Sequence, residues 1–226
     1  MIFKIEKYKE LVSTNDTAKE KSASGAPEGT VITAEHQSGG KGRAGHTFYS
    51  PTGGIYMSVI LRPRFSDYTL ITPAAAVAVC KATEKLGFDC KIKWVNDLYL
   101  NDKKICGILT ESNISYGWAV LGIGLNTNKL DENAPEIAGW MYDEQADNDK
   151  IVDLLLNEID NVYSKLPDKS FIEYYREKNY LIGKELLIDG EEYSYRQIND
   201  DFSLVVNDKY GNEKRFICGD VSVKVK

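Results

Sequence analysis

The 226-residue sequence is poor in the residues that build metal centres and covalent cross-links. It has two histidines and four cysteines, the latter at positions 80, 90, 106 and 218. No two cysteines form a C-x-x-C pair and no histidine cluster stands near them, which argues against a zinc site. A disulfide framework is not expected in a chain this long either. Small thiols, buried or half-buried in a reducing compartment, are the expected state of all four. Long apolar runs are missing too, and none approaches the roughly 20 residues of a membrane span. The N-terminus, MIFKIEKYKE, carries charges at every second or third position and so lacks a signal-peptide core. The expectation is a cytoplasmic protein with no membrane partner. A surplus of positive charge is also lacking. The formal net charge is −6, so the chain as a whole is not expected to displace counterions from nucleic acid.

What is present is an ordinary globular balance, 42% hydrophobic and 27% charged. That permits a proper core in one large domain, or in a moderate domain with a small appendage. Residues 2–8 alternate loosely as a strand would. Ser13-Thr14-Asn15-Asp16 opens a short helix that ends near Gly25. Thr30–Ala34 and Ile55–Leu61 read as strands. A helix is predicted from Thr72, with Pro73 in its first turn and Gly87 ending it. Lys91–Val95 reads as a short strand, and Leu98–Leu100 with Lys104–Glu111 as a hairpin around Asn101-Asp102. Trp118–Asn126 is a further strand, followed by helices over roughly 149–166 and 169–180. After Gly183 the texture becomes β-rich, with turn signals at Asp189-Gly190 and Tyr210-Gly211-Asn212. The expected architecture is α/β (α+β), a mixed β-sheet flanked by helices over residues 1–182. A small antiparallel barrel is expected over 183–226.

The most unusual segment is HQSGGKGRAGHTFYSPTGG, residues 36–54. Its glycines at 39, 40, 42 and 45 interleave with Lys41 and Arg43, and no acidic residue occurs between Gln37 and Asp67. Gly40-x-Gly42-x-x-Gly45 has the letters of a dinucleotide fingerprint, but that motif must turn directly into a helix, and HTFYSP does not start one. A Walker A loop fails because glycine, not serine or threonine, follows Lys41. What remains is a flexible cationic loop whose bare N–H groups can wrap an anion. The plain alternative is a solvated surface loop. A loop of this kind suits the joining of a carboxylate to a nucleotide phosphate, where fixed cations must offset the repulsion of two anions. By folding over the site it also keeps water from the mixed anhydride.

A second constellation is Lys91-Ile92-Lys93-Trp94-Val95-Asn96-Asp97, running on to Lys103-Lys104-Ile105-Cys106-Gly107. Taken alone, Lys93 is a lysine on a solvated strand face and Asn96-Asp97 a turn. Taken in order, four motifs resemble the biotin–protein ligase family: Ser-Thr-Asn, Q-x-x-G-[RK]-G-R-x-G, K-W-P-N-D and G-[IA]-G-x-N. Here they read Ser13-Thr14-Asn15, Gln37 to Gly45, Lys93-Trp94-Val95-Asn96-Asp97 and Gly122-Ile123-Gly124-Leu125-Asn126.

The resemblance implies a catalytic domain like that of class II aminoacyl-tRNA synthetases and an SH3-like C-terminal β-barrel. It implies that biotin and MgATP give biotinoyl-5′-AMP and pyrophosphate, and that biotin then passes to a lysine of a biotin carboxyl carrier domain of acetyl-CoA carboxylase or a related carboxylase. The catalytic residues it implies are Lys93 and Arg43. Ser13, Thr14, Asn15, Gln37, Lys41, Gly42, Arg43, Lys93 and Gly107 would bind biotin. Arg43, Phe48, Lys93, Lys104 and Asn126 would bind the nucleotide, and no protein metal ligand is assigned. Simpler accounts stay open beside these: a helix cap for Ser13 or Thr14, a strand-end amide for Gln37, a turn residue for Asn126.

Four positions depart from the family pattern. Lys41 stands where arginine is frequent and loses the bidentate fork. His46 replaces a common arginine, Phe48 a tryptophan and Val95 a proline. With Ser13-Thr14 within a dozen residues of the start, an N-terminal helix-turn-helix is not expected, as in the single-function ligases. Family members occur as monomers and homodimers, and an edge strand could pair. The alternatives to weigh are a lipoate–protein ligase, which shares the fold and the acyl-adenylate logic, and a non-catalytic biotin-binding module.

Overall fold

In the computed structural model, residues 1–217 and 223–225 are described. Cys218 lies outside them. The larger sheet has the strands β1 (Lys4–Leu11), β2 (Thr30–Gln37), β3 (Ile55–Leu61), β4 (Lys91–Lys93), β5 (Asp97–Leu100), β6 (Lys103–Asn113) and β7 (Trp118–Leu125). Their spatial order is β1-β2-β3-β7-β6-β5-β4. Only the β1–β2 pairing is parallel, with α1 (Thr14–Ala23) as its crossover; the other pairings are antiparallel.

Helices α2 (Ile71–Lys85) and α3 (Asn148–Tyr163) cover one face of this sheet, burying Met57, Val59, Leu121 and Ile123. The other face carries α1, whose Ala18 packs with Ile32, Ile60 and Val120. Because β3 is covered on both sides, all seven of its residues are buried and its apolar letters run on without alternation. Beyond α1 the second face is lined not by large side chains but by Gly107, Gly122 and Gly124. That bare stretch of sheet is where the site lies.

A short helix, α4 (Ile172–Glu177), leads to the second sheet: β8 (Glu185–Ile188), β9 (Glu191–Ile198), β10 (Leu204–Asp208), β11 (Glu213–Phe216) and β12 (Val223–Val225). It is antiparallel in the order β11-β10-β9-β8-β12. The turns expected at Asp189-Gly190 and at Gly211 are there, each with glycine at positive φ. This sheet shares the main apolar core through Phe202, whose ring stacks on Phe171 and meets Tyr175 edge-on. Trp94 Nε1 also donates to Phe202 O at 2.8 Å.

Element boundaries differ from expectation at several places, three of them with a plain cause. β1 runs on to Leu11 because it pairs with β2 as far as Gln37. The strand expected at Lys91–Val95 stops at Lys93, because Trp94–Asn96 form the turn that closes Lys93 against Asp97. The helix expected over 169–180 is only α4, because Lys178 and Tyr180 exchange backbone hydrogen bonds with Ile92.

Candidate active site

Two adjoining cavities open on the glycine-lined face. The smaller, about 30 Å³, is walled by the start of α1 (Ser13, Thr14, Asn15), Gln37, and the glycines of β6 and β7. The larger, about 280 Å³, is walled by the loop from Lys41 to Phe48, the β4–β5 turn, β6, and Asp189 and Val223 of the second sheet. Lys41, Phe48, Gly107 and Leu109 belong to both.

The small cavity is built by a closed polar network. Thr14 donates through its amide and its hydroxyl to Gln37 Oε1, at 2.8 and 3.1 Å. Gln37 Nε2 donates to Ser50 Oγ at 3.0 Å. Ser58, fully buried in β3, lies 2.8 Å from Thr14 Oγ1 and 2.6 Å from Asn15 Oδ1. Asn15 Nδ2 in turn reaches Glu111 Oε2 at 2.9 Å. Helix starts leave amides without partners, and the sequence offered Ser13 as their cap. Ser13 occupies the N-cap with extended backbone but makes no side-chain cap bond, and Gln37 takes the Thr14 amide instead. The Ser13 hydroxyl is thus not consumed by capping.

The glycines are required by what faces them. A Cβ on Gly122 would come 2.8 Å from Asn15 Cγ, and one on Gly124 would lie 2.5 Å from Phe48 Cε1. Gly107 faces the same Phe48 ring. The G-x-G spacing puts both glycines on one face of β7, so a single strand makes room for Asn15 and Phe48 together.

The glycine loop forms a tight hairpin: Lys41 bridges Thr47, and Phe48 N donates to Gly40 O at 2.8 Å. Ala44 and Gly45 take positive φ inside a single 3-10 turn, with no longer helix following, as the rejection of a dinucleotide motif required. Arg43 Nη1 donates to Asn96 Oδ1 at 3.1 Å. Asn96 is itself fixed to β6, its Nδ2 donating to Ile108 O at 2.9 Å. The glycine loop and the Lys93 motif, fifty residues apart in sequence, therefore meet at the wall of one cavity.

Four cations line the large cavity, and their compensation differs. Lys104 pairs with Asp97 Oδ2 at 2.8 Å, and Lys41 with Asp16 at 2.7 Å. Lys93 has no carboxylate ion pair among the described residues, and its Nζ sits 5.4 Å from the Tyr99 ring centroid. Burial pushes the Lys93 ammonium below its ordinary pKa; Asp97 opposes this, while Lys104 and Lys224 add to it. An under-compensated, partly dried cation is a receptor for an anion.

Of the residues singled out from sequence, Ser13, Thr14, Asn15, Gln37, Lys41, Phe48 and Gly107 line the small cavity. Gly42, Arg43, Lys93 and Lys104 line the large one. Asn126 stands apart from both walls. It is buried, with Nδ2 donating to Gly139 O at 2.9 Å, and its Oδ1 has no partner among the described residues. Sequence reasoning passed over Ser58, Ser50, Glu111 and Asp189. Ser58 carried a signal, as a hydroxyl in the middle of an otherwise apolar strand.

The geometry is that of a mixed sheet bearing a polar pocket beside a cationic cleft, and comparison gives the family. Residues 9–128, more than half the chain, match the Biotin/lipoate A/B protein ligase family, and the chain belongs to that family. Among its relatives is the bifunctional ligase/repressor BirA of Bacillus spizizenii, 39% identical over 137 residues. That alignment covers 57% of this chain and 42% of BirA, so the chain spans less than half of that relative's length. The biotin–[acetyl-CoA-carboxylase] ligase of Mycobacterium tuberculosis is 30% identical over 161 residues, covering 66% of this chain and 59% of that one. The fold matches the biotin protein ligase of Aquifex aeolicus in complex with biotin and ATP. The TM-score is 0.86 at 25% identity, over 98% of this chain and 99% of the other.

Proposed function

We propose that this chain is an ATP-dependent biotin–protein ligase, with residues 1–182 as its catalytic unit and 183–226 as an SH3-like appendage. The observation that carries the reading is the meeting of Arg43, Lys41 and Lys93 at one cavity that opens directly from the Thr14–Gln37–Asn15–Ser58 pocket. In this reading the ureido ring of biotin takes the polar pocket and its valeryl chain runs over the glycines. Its carboxylate then emerges among the cations.

A biotin carboxylate oxygen attacks the α-phosphorus of MgATP, forming the acyl–phosphate anhydride and releasing pyrophosphate. Lys93 and Arg43 offset the charge of the two anions as they approach and in the transition state. The acceptor lysine's amine then attacks the acyl carbonyl, forming the amide and releasing AMP. Mg²⁺ enters with the nucleotide, and Asp97, whose Oδ1 is buried without a partner among the described residues, is the less exposed of the two carboxylates on this wall, Asp189 being the other. The assignment of Asn126 to the nucleotide rests on its motif alone, since its side chain is buried away from both walls. The acceptor is a biotin carboxyl carrier domain of acetyl-CoA carboxylase or a related carboxylase, in the cytoplasm, and nucleic acid is not a partner. Strand β1 ends the larger sheet and gives a second copy an edge to pair with in a homodimer.

The test is mass spectrometry of a carrier domain incubated with this protein, biotin and MgATP. One biotinyl adduct on a single lysine is the expected result. Adduct formation with lipoate and none with biotin would replace the assignment by a lipoate ligase. Biotin binding without any adduct would make the chain a binding module.

A further inference from the structure

The glycine loop is tied to the body of the protein through charges that none of the four motifs supply. Asp16 and Lys19 lie one turn apart on α1, and Glu111 lies on β6. Lys19 Nζ is 3.0 Å from Asp16 Oδ1 and 2.6 Å from Glu111 Oε1. From the loop, Lys41 Nζ reaches the same Asp16 oxygen at 2.7 Å. On the other side, Glu111 Oε2 accepts from Asn15 Nδ2. The contacts run unbroken from the loop to the polar pocket.

Charge counting gives this chain of contacts a direction. The three groups fixed on the scaffold are two carboxylates and one ammonium, a net −1, and each is less than a third exposed. An unbalanced charge in a half-dry setting is costly, and Lys41 brings the sum to zero. Burial works against both charges of the Asp16–Lys19 pair. Hydrogen bonds outweigh it, holding Asp16 below the ordinary carboxylate range and Lys19 above the ordinary lysine value. Isolated surface pairs contribute little. This one is a partly buried network, and one of its ends is a wall of the binding pocket.

We propose that Asp16, Lys19 and Glu111 are positioning residues: a socket one cation short, which docks the glycine loop through Lys41 and transmits that docking to Asn15. The identity of the ligand rests on the ligase reading; the docking itself does not.

Tryptic cleavage at Arg43–Ala44, followed by mass spectrometry on the full chain, reads loop docking without any ligand. Asp16→Asn leaves the cluster at +1 and is expected to speed that cleavage by about three- to ten-fold, the usual size of a coupled pair. Asp16→Lys alone takes it to +2 and cleaves faster still. The exchange Asp16→Lys with Lys41→Asp returns the sum to zero and brings cleavage back to within about two-fold of wild type, a recovery that a merely structural contact would not give. Biotin affinity measured by calorimetry falls in Asp16→Asn and further in Asp16→Lys, whereas the exchange is read by cleavage alone because it removes Lys41 from the binding wall. Cleavage unchanged in Asp16→Asn, or an exchange no better than Asp16→Lys alone, overturns the proposal. Should Asp16→Lys fail to fold, Lys41→Met, at −1, takes its place with the same expected increase over wild type, and no increase overturns the proposal. Wild-type protein that binds no biotin refutes the ligase reading, and the cleavage result still decides the docking.

Discussion

Replacing Lys93 by methionine separates electrostatic catalysis from structure more cleanly than any other change in this protein. Methionine keeps the stem's volume and packing and removes the charge. Lys93 makes no carboxylate ion pair among the described residues, and burial depresses its pKa, with Lys104 and Lys224 adding to that effect. The ammonium therefore costs the folded state something, and its removal is expected to leave Tm unchanged or raise it by about 2–4 °C, the equivalent of about 1 kcal/mol at this size. The reaction should respond in the opposite sense. Withdrawing one preorganised charge from a developing anion costs about 10²- to 10³-fold in rate. The assays are biotin-dependent ATP–pyrophosphate exchange and a thermal melt on the same preparation. The pH dependence follows from the same depressed value. Between the native pKa and the higher unfolded one, the unfolded chain holds a proton that the native state has released. Wild-type stability should therefore rise with pH across that interval relative to Lys93→Met. Exchange within about three-fold of wild type, far short of the loss expected from electrostatic stabilisation, would refute the reasoning. So would lost exchange accompanied by a large drop in Tm.

Other outcomes follow from neighbouring parts of the structure. Gly122→Ala puts a methyl against Asn15, which Leu109, Glu111 and Ser58 hold in place, so biotin affinity should fall by at least about ten-fold in calorimetry while the fold survives by circular dichroism. Trp94→Phe leaves Phe202 O without its donor and should cost about 1–3 kcal/mol in chemical denaturation, since a buried group loses its partner. Cys80, Cys90 and Cys106 are fully buried, and burial pushes the thiols of Cys80 and Cys90 up to about 12 and about 11. These three should resist alkylation at neutral pH in the native state and react on unfolding. Labelling of the native protein at any of them would show that the core around α2 opens.

Much of the fold was legible because its signals are local. Ala74 to Ala82 with Gly87 behind them define α2, and Asn101-Asp102, both at positive φ, make the β5–β6 turn that their side chains tolerate well. The short length of α4 was not legible, because it depends on Ile92 arriving from another part of the chain to take the backbone bonds of Lys178 and Tyr180. The same distinction runs through the site. Its glycines and cations stand out in the string, whereas Ser58, Glu111 and Asp16 are ordinary letters that matter through what faces them. Asn126 was singled out by its motif, yet its side chain lies against Gly139 rather than on a cavity wall.

The sequence by itself determined the chemical inventory of this protein: a cationic, glycine-rich loop without acids, a lysine motif, and a G-x-G strand too bare to fill its own face of the sheet. These depend only on residue type and near-neighbour spacing, the range over which backbone preferences act. Only the tertiary structure decided which charges are compensated and which are not. Among the described residues Lys41 and Lys104 find carboxylates and Lys93 finds none, because that depends on which strands and helices are brought within a few ångströms in a drying environment, where a missing partner is felt most.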